Sequence, residues 1–263
     1  MGKEIREQAK ESLAQFILFA ARHLQHPHPG LAFYATGESD HWAVQSNLNV
    51  CGVFGVASVF PEIAKSAGIS QDELRKTALE LFRYSLRTHT TGDLVTTNGK
   101  PWGCHWISVL GLERMNHALN LLEPHMTQDD LARLQELRLC ESRWRLNSYP
   151  VVAGVEAESR ANKPESNMWN GGFLLRTAAD YPDDPDSEAF QMKGIQFILN
   201  AICRESDRES EEIFAGKPRR EWQVGGNFTE NWSLDHHGYM NVGYSVITLS
   251  NLAMLHYHFA ARG

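Results

Sequence analysis

Several common sequence features are missing from this chain. It contains no run of Lys or Arg and its formal net charge is −7 at pH 7, so a nucleic-acid partner is not expected. It has no stretch of about 18 or more apolar residues, so no membrane-spanning helix is predicted. No signal-peptide pattern is visible at the N-terminus. We therefore expect a cytoplasmic protein, or an exported one whose signal sequence lies outside this sequence.

Paired cysteines are also missing. Cys51, Cys104, Cys140 and Cys203 stand singly, with no CxxC motif, which is typical of reduced thiols and not of a zinc site or a disulfide framework. The histidines of "HLQHPHPG" follow a predicted helix end, and those of "LHYHF" point to different sides of a predicted helix. No metal and no other cofactor is predicted.

Strand-like alternation is scarce, whereas helical spacing of apolar residues recurs along the whole chain. Ser70 and Thr127 are predicted N-caps, each followed by acidic residues, and Asp184 is a third predicted cap with Pro185 at the first helical position. The pattern predicts an all-α fold with helices at roughly 3–25, 48–66, 71–89, 104–122, 128–146, 168–180, 186–203 and 242–260.

Taken in pairs, these helices predict about four helical hairpins with a shared pattern. A long segment rich in aromatic and amide residues precedes the second helix of each pair: "HWAVQSNLNVCG", "TTNGKPWGCHW", "RANKPESNMWNGG" and "GGNFTENWSLDHHGYMNVGY". Short acidic links precede the first helices. All second helices would then begin at one end of a ring, an α/α toroid. We expect a single toroid domain over residues 1–263, incomplete and truncated at the C-terminus; an irregular helical bundle is the alternative.

Three segments resemble the helical toroid domain of heparinase II/III-like and alginate-lyase-like proteins. They are "ESNMWNGGFLLRTAADYPDDPDSEAF", "NFTENWSLDHHGYMNVGY" and, more weakly, "NGKPWGCHW". The resemblance covers residues 80–260. It departs from the family in "DHHGY", where many relatives place Asn directly before the His.

The resemblance implies a polysaccharide lyase that cleaves beside a uronic acid by β-elimination. This reaction requires groups that neutralise the sugar carboxylate, a base for the C5 proton and an acid for the leaving oxygen. Asn231 with His236 or His237 is predicted to neutralise the carboxylate, and Tyr239 is the first candidate for base or acid, with Tyr244 in reserve. The catalytic candidates are Tyr239, His237, His236, Asn231 and His105. The substrate-binding candidates are Glu230, Asn170, Trp169, Trp232, Trp102, Trp106, Glu165 and Tyr244.

Each of these residues also has a purely structural interpretation. The histidines could cap the last helix, Tyr239 could be a buried aromatic residue, the tryptophans could belong to the core, and Asn170 could be a helix cap. Two further functions stay open: a glycoside hydrolase on the same ring, with carboxylates drawn from Glu230, Asp235, Glu165 and Asp93, or a helical module that binds a glycan or a protein without catalysis. The expected partner is an acidic oligo- or polysaccharide.

Overall fold

The computed structural model describes residues 2–34, 40–151, 164–236 and 239–260. Residue contacts divide the chain into two compact units, Met1–Cys140 (unit 1) and Glu141–Gly263 (unit 2). Helices dominate both units, and the strands among the described residues form short antiparallel pairs. The all-α prediction is confirmed at this level.

Unit 1 has helix α2 at its centre. Its elements are α1 (Gly2–Ala21), β1 (Leu24–His28), β2 (Leu31–Tyr34), α2 (Asp40–Ala57), α3 (Pro61–Ala67), α4 (Gln71–Thr88), α5 (Leu110–Leu122) and the larger part of α6 (Gln128–Ser148). Helix α2 packs on α4, α5 and β2, and α1 packs on α3. Asn47 joins three of these elements, because its amide accepts from Tyr34 N at 2.9 Å and donates to Leu81 O at 2.8 Å.

Unit 2 is built around helix α7. Its elements after α6 are α7 (Pro164–Asp180), α8 (Ser187–Ala201), the strand pair β3 (Ile213–Phe214) and β4 (Lys217–Pro218), the strand pair β5 (Asp235–His236) and β6 (Tyr239–Met240), and α9 (Val242–Ala260). Helix α7 packs on both α8 and α9. The α7–α8 approach is close, since a Cβ on Gly171 would stand 2.9 Å from the carbonyl oxygen of Gly194.

Two predicted N-caps are confirmed. The Ser70 side chain accepts a hydrogen bond from Glu73 N at the start of α4. Thr127 Oγ1 accepts from Asp130 N at 3.1 Å, and the Asp130 carboxylate accepts from Thr127 N at 2.9 Å, which is a reciprocal cap at the start of α6. The third cap was wrong: α8 begins at Ser187, and Pro185 lies in the turn before it.

Three predicted helices of unit 1 differ from the structure, and one of them, predicted over 104–122, begins only at Leu110. The helix predicted over 3–25 ends at Ala21, and a β1–β2 hairpin follows, turning at Gly30 with a φ of 72°. The helix predicted over 48–66 is two helices, α2 and α3, bent by 113°. Pro61 causes the break, because it begins α3 and holds the preceding Phe60 in an extended conformation. No single described helix is long and apolar enough to span a membrane; only this bent pair passes the test of length and composition.

Helix α9 has the predicted bounds, 242–260, but an unexpected orientation of its side chains. Thr248 and Asn251 are buried, whereas Val246 and Leu249 are 57% and 61% exposed. The buried polar groups bond within the helix: Thr248 Oγ1 donates to Tyr244 O at 2.9 Å and Asn251 Nδ2 donates to Ile247 O at 2.8 Å. The helix, which is apolar over most of its length, therefore exposes an apolar face and buries a partly polar one.

Candidate functional site

In unit 1 the start of α5 is fixed against α2. Gly111, in the first turn of α5, donates its backbone N–H to Gln45 Oε1 at 2.6 Å. A Cβ on Gly111 would stand 2.8 Å from Leu48 Cβ, closer than real Cβ atoms come to a neighbour. The contact therefore requires glycine, and it places the chain just before α5 beside the beginning of α2.

A His-Trp doublet stands at each of these helix starts, His41-Trp42 in α2 and His105-Trp106 before α5. The two imidazoles stack with centroids 4.2 Å apart and planes 12° apart. The two indoles meet edge to face at 6.2 Å. Trp42 is 52% exposed and Trp106 is half-buried. These four residues, the His-Trp cluster, offer an aromatic surface with proton-carrying groups beside it.

Trp102 does not belong to this surface. It is fully buried, its Nε1 donates to Ser85 O at 2.9 Å, and its ring lies edge-on to His89 at 4.9 Å. A ring with no exposed face cannot stack on a sugar. The prediction of Trp102 as a sugar platform was wrong, because the hydrogen bond to the α4 carbonyl draws the indole into the core.

In unit 2, α7 and α9 pack on each other, and each has a titratable side chain in its first turn. Glu165 lies directly after Pro164, the first residue of α7, and is only 3% exposed. Tyr244 lies in the first turn of α9, where Asn241 Oδ1 caps the helix by accepting from Tyr244 N at 3.1 Å. Burial raises the pKa of Tyr244, and the charges of Glu165 and Tyr239 raise it further. Tyr244 therefore keeps its proton at neutral pH and can donate it.

A second tyrosine joins this group from the end of α6. Tyr149 Oη lies 3.2 Å from Ser166 Oγ. Burial raises the pKa of Tyr149, against the opposing effects of the Ser166 hydrogen bond and the charge of Arg145, and Glu165 raises it further. We call Tyr149, Glu165, Tyr239 and Tyr244 the tyrosine cluster. It combines the buried Glu165 with two phenols, Tyr149 and Tyr244, whose pKa values are raised.

Asn170 and Trp169 lie below this surface, inside the core of unit 2. Both are buried, Asn170 completely. Asn170 Oδ1 accepts from Arg145 Nε at 2.6 Å, and its Nδ2 donates to Ser166 O at 2.8 Å. The predictions of Asn170 as a substrate ligand or cap, and of Trp169 as a sugar platform, were wrong. Helix α7 begins at Pro164 and not near Met168, so both residues are in the helix interior.

The 230–232 loop of unit 2 is exposed and internally bonded. Glu230 accepts from Ser206 N at 2.8 Å and from Ser206 Oγ at 2.7 Å; these bonds lower the pKa of its carboxyl, with a smaller contribution from the Arg204 charge. Asn231 Oδ1 accepts from Thr229 Oγ1 at 2.5 Å. Trp232 is 54% exposed, and the Arg204 guanidinium lies 4.6 Å from its ring centre. An exposed indole beside an arginine suits an acidic sugar.

The predicted histidine doublet lies largely beyond what can be described. His237 is outside the described residues, and of His236 only the backbone is described, paired with Tyr239 between β5 and β6. Tyr239 itself is 60% exposed. The hairpin therefore carries an exposed phenol at the entrance to α9.

Some predicted residues interact within a unit: His105 lies beside Trp106 in unit 1, and in unit 2 the charges of Glu165 and Tyr239 both act on Tyr244. The sequence patterns did not predict His41, Trp42 or Tyr149 as site residues. A signal for the first two exists in the sequence, because "HW" occurs both at 41–42 and at 105–106, in the first turn of α2 and shortly before α5, and these two helices pack together. For Tyr149 the sequence holds no such signal.

Comparison of the chain with protein-family models, with curated proteins and with solved structures finds no significant match. Among the described residues, no three His, Cys, Asp or Glu side chains are grouped as a set of metal ligands.

Proposed function

We propose that the chain is a carbohydrate-active enzyme, a polysaccharide lyase that cleaves a uronate-containing glycan by β-elimination on an α/α toroid of about four hairpins. The support for the ring is that, within each unit, the two helices that carry decorated segments pack on each other, α2 on α5 and α7 on α9. His41 and His105 stack at the starts of α2 and α5, and Glu165 raises the pKa of Tyr244 at the starts of α7 and α9. This is the arrangement that a toroid repeats at its mouth.

The observation that carries the lyase proposal is the tyrosine cluster. Elimination leaves a negative charge on the glycosidic oxygen, and a neutral phenol at hand protonates it. Tyr244 is the candidate for this acid because burial, and then the neighbouring carboxylate, hold its pKa above the ordinary value and keep it protonated. Tyr239 and His237 are the candidates for the base that removes the C5 proton.

The sugar carboxylate must be neutralised before C5 becomes acidic. Asn231 and His236 are assigned this part, with Asn231 presenting its NH2 group because its Oδ1 already accepts from Thr229. Trp232 and Arg204 would hold an acidic ring by stacking and charge, and Trp42 and Trp106 offer a second aromatic surface in unit 1.

The test is turnover of a panel of uronate-containing polysaccharides, followed by the ultraviolet absorbance of unsaturated uronates. Tyr244→Phe and Tyr239→Phe should each lower kcat by about 10²–10⁴-fold, the usual contribution of general acid–base catalysis. Tyr257→Phe is the matched control, since Tyr257 is 67% exposed near the far end of the same helix. Unchanged turnover in both test variants would remove the assignment. Glycan binding without product would favour a non-catalytic binding module.

A glycoside hydrolase is the second candidate, and the burial of Glu165 favours it, because a buried carboxyl can act as a general acid. Its partner would come from Glu230 or Asp235. Asp93 is a poor choice: Arg87 donates to both of its carboxylate oxygens at 2.9 Å, which lowers its pKa. Mass spectrometry separates the two reactions, since hydrolysis adds water to the products and elimination does not.

A further inference from the structure

Two cysteines of unit 1 lie side by side although they are far apart in sequence. The Sγ atoms of Cys104 and Cys140 are 3.9 Å apart, and both residues are half-buried. A disulfide needs an S–S distance of about 2.05 Å, so one sulfur must move by about 2 Å. Cys140 is on helix α6, and Cys104 lies in the irregular segment before α5. The movement therefore falls to Cys104.

The backbone at Cys104 has an unusual conformation. Cys104 has a φ of 49°, in the left-handed region that residues with a side chain rarely adopt, and Gly103 before it has a φ of 124°. Neither residue belongs to a helix or strand. A residue held in such a sparsely populated conformation indicates that the surrounding structure constrains the backbone there, and such residues cluster at functional sites.

The other two cysteines provide an internal contrast. Cys51 and Cys203 are fully buried, and burial raises the pKa of both thiols, that of Cys203 to about 11. Cys51 Sγ donates to Ala78 O at 3.2 Å and Cys203 Sγ donates to Gly225 O at 2.7 Å. Thiols that are hidden and protonated react slowly, because the thiolate is the nucleophile.

We propose that Cys104 and Cys140 are a dithiol pair that a low-molecular-weight disulfide, such as glutathione disulfide, converts to an intramolecular disulfide. One cysteine thiolate attacks a sulfur of the reagent and expels one glutathione thiolate. The second cysteine thiolate then attacks the protein sulfur of the mixed disulfide and expels the other. The two cysteine sulfurs are oxidised, the reagent is reduced to two glutathione molecules, and these take up the two protons.

The bond would act on the His-Trp cluster, since Cys104 directly precedes His105, which stacks on His41. The disulfide links the Cys104 segment covalently to α6, and this link fixes the position of His105 relative to α2. The proposal does not depend on the proposed lyase activity, because it concerns only the chemistry of two sulfurs.

The experiment treats the native full chain with glutathione disulfide and follows the intact mass and the proteolytic peptide map. We expect a loss of two hydrogens and a peptide that links Cys104 to Cys140. Cys104→Ser and Cys140→Ser should each stop at one glutathionyl adduct. The far-ultraviolet circular dichroism spectrum checks that they fold.

Alkylation of the untreated chain gives a second measurement that needs no variant. Cys104 and Cys140 should react at least about tenfold faster than Cys51 and Cys203. The proposal is overturned if the wild-type chain accumulates only mixed adducts, if the linked peptides contain Cys51 or Cys203, or if all four thiols react at similar rates under native conditions.

Discussion

The packing of unit 2 can be tested by removing the buried positive charge of Arg145. Arg145 and Glu141 are both completely buried, one turn apart on α6, and Arg145 Nη1 donates to the Glu141 carboxylate at 2.5 Å. The guanidinium also donates to Asn170 Oδ1 and lies 5.4 Å from the ring centres of Trp144 and Phe173. Arg145→Met keeps much of the apolar volume and removes the charge.

The expected loss follows from what the substitution leaves behind. Breaking a buried pair by removing one partner costs about 3–5 kcal/mol, because the other charge stays buried without its counter-ion. The double variant Glu141→Gln/Arg145→Met removes both charges. It should recover about 2 kcal/mol of this loss and retain a deficit of about 1–3 kcal/mol, because Asn170 Oδ1 still loses the Arg145 donor.

The measurement is equilibrium unfolding in urea, followed by circular dichroism and tryptophan fluorescence. With a slope of about 2 kcal/mol per molar urea, Arg145→Met should lower the midpoint by about 1.5–2.5 M. Arg133→Met is the control, because Arg133 bonds the exposed Asp129 at 2.9 Å and such surface pairs contribute about 1 kcal/mol or less. A loss below about 1 kcal/mol in Arg145→Met, or a double variant no more stable than the single one, would refute the reasoning.

Three further predictions concern unit 1. Asp130→Asn should destabilise the protein by about 1.5–3 kcal/mol at pH 7; burial alone would raise the Asp130 pKa, but hydrogen bonds from Arg83 and Thr127 outweigh it and lower the pKa. The stability difference between the wild-type chain and Asp130→Asn should therefore persist above the unfolded-state pKa and vanish as pH falls through the lowered folded-state pKa. Urea unfolding from pH 7 to pH 2 measures this difference. A difference independent of pH would contradict the assignment. Asn47→Leu should lower the free energy of unfolding by about 3 kcal/mol or more, measured by thermal and urea unfolding, because Tyr34 N and Leu81 O lose buried partners. A loss under about 1 kcal/mol would show that Asn47 does not join α2 to β2 and α4. Gly111→Ala should cost about 1–3 kcal/mol, since its Cβ would stand 2.8 Å from Leu48 Cβ, and an unchanged melting temperature would argue against the close packing of α2 on α5.

Several helices could be predicted closely because their ends are local events. Helix α4 begins at Gln71 and α6 at Gln128, where the Ser70 and Thr127 side chains cap them, and α9 begins at Val242, directly after Asn241. Each cap involves residues within three positions of one another, so the sequence contains the whole interaction. The helical spacing of apolar residues then predicts where each helix ends.

The start of α2 could not be predicted in the same way. The segment "HWAVQSNLNVCG" is polar enough for a loop, and it is helical because its polar side chains find partners far away in sequence. Gln45 accepts from Gly111 N, and Asn47 bonds to Tyr34 and Leu81. These bonds satisfy groups that would otherwise oppose burial, so the tertiary structure overrides the local preference.

The candidate site shows the same division. The decorated segments could be recognised from composition, and Glu165, Tyr239 and Tyr244 could be selected because their side chains carry protons. The inward position of Asn170, Trp169 and Trp102 could not be foreseen, because exposure depends on which face a neighbouring element covers. The stacking of His41 on His105 joins a residue of α2 to one in the segment before α5, and no local pattern contains it.

By itself, the sequence determined that this protein is helical, where several helices begin, and which segments hold the chemically active side chains, because periodicity and capping act over a few residues. The tertiary structure alone decided which of those side chains reach a surface, that burial and the charge of Glu165 raise the pKa of Tyr244, and that Cys104 meets Cys140. Burial and electrostatic proximity depend on the packing of distant segments, and packing is a property of the folded chain as a whole.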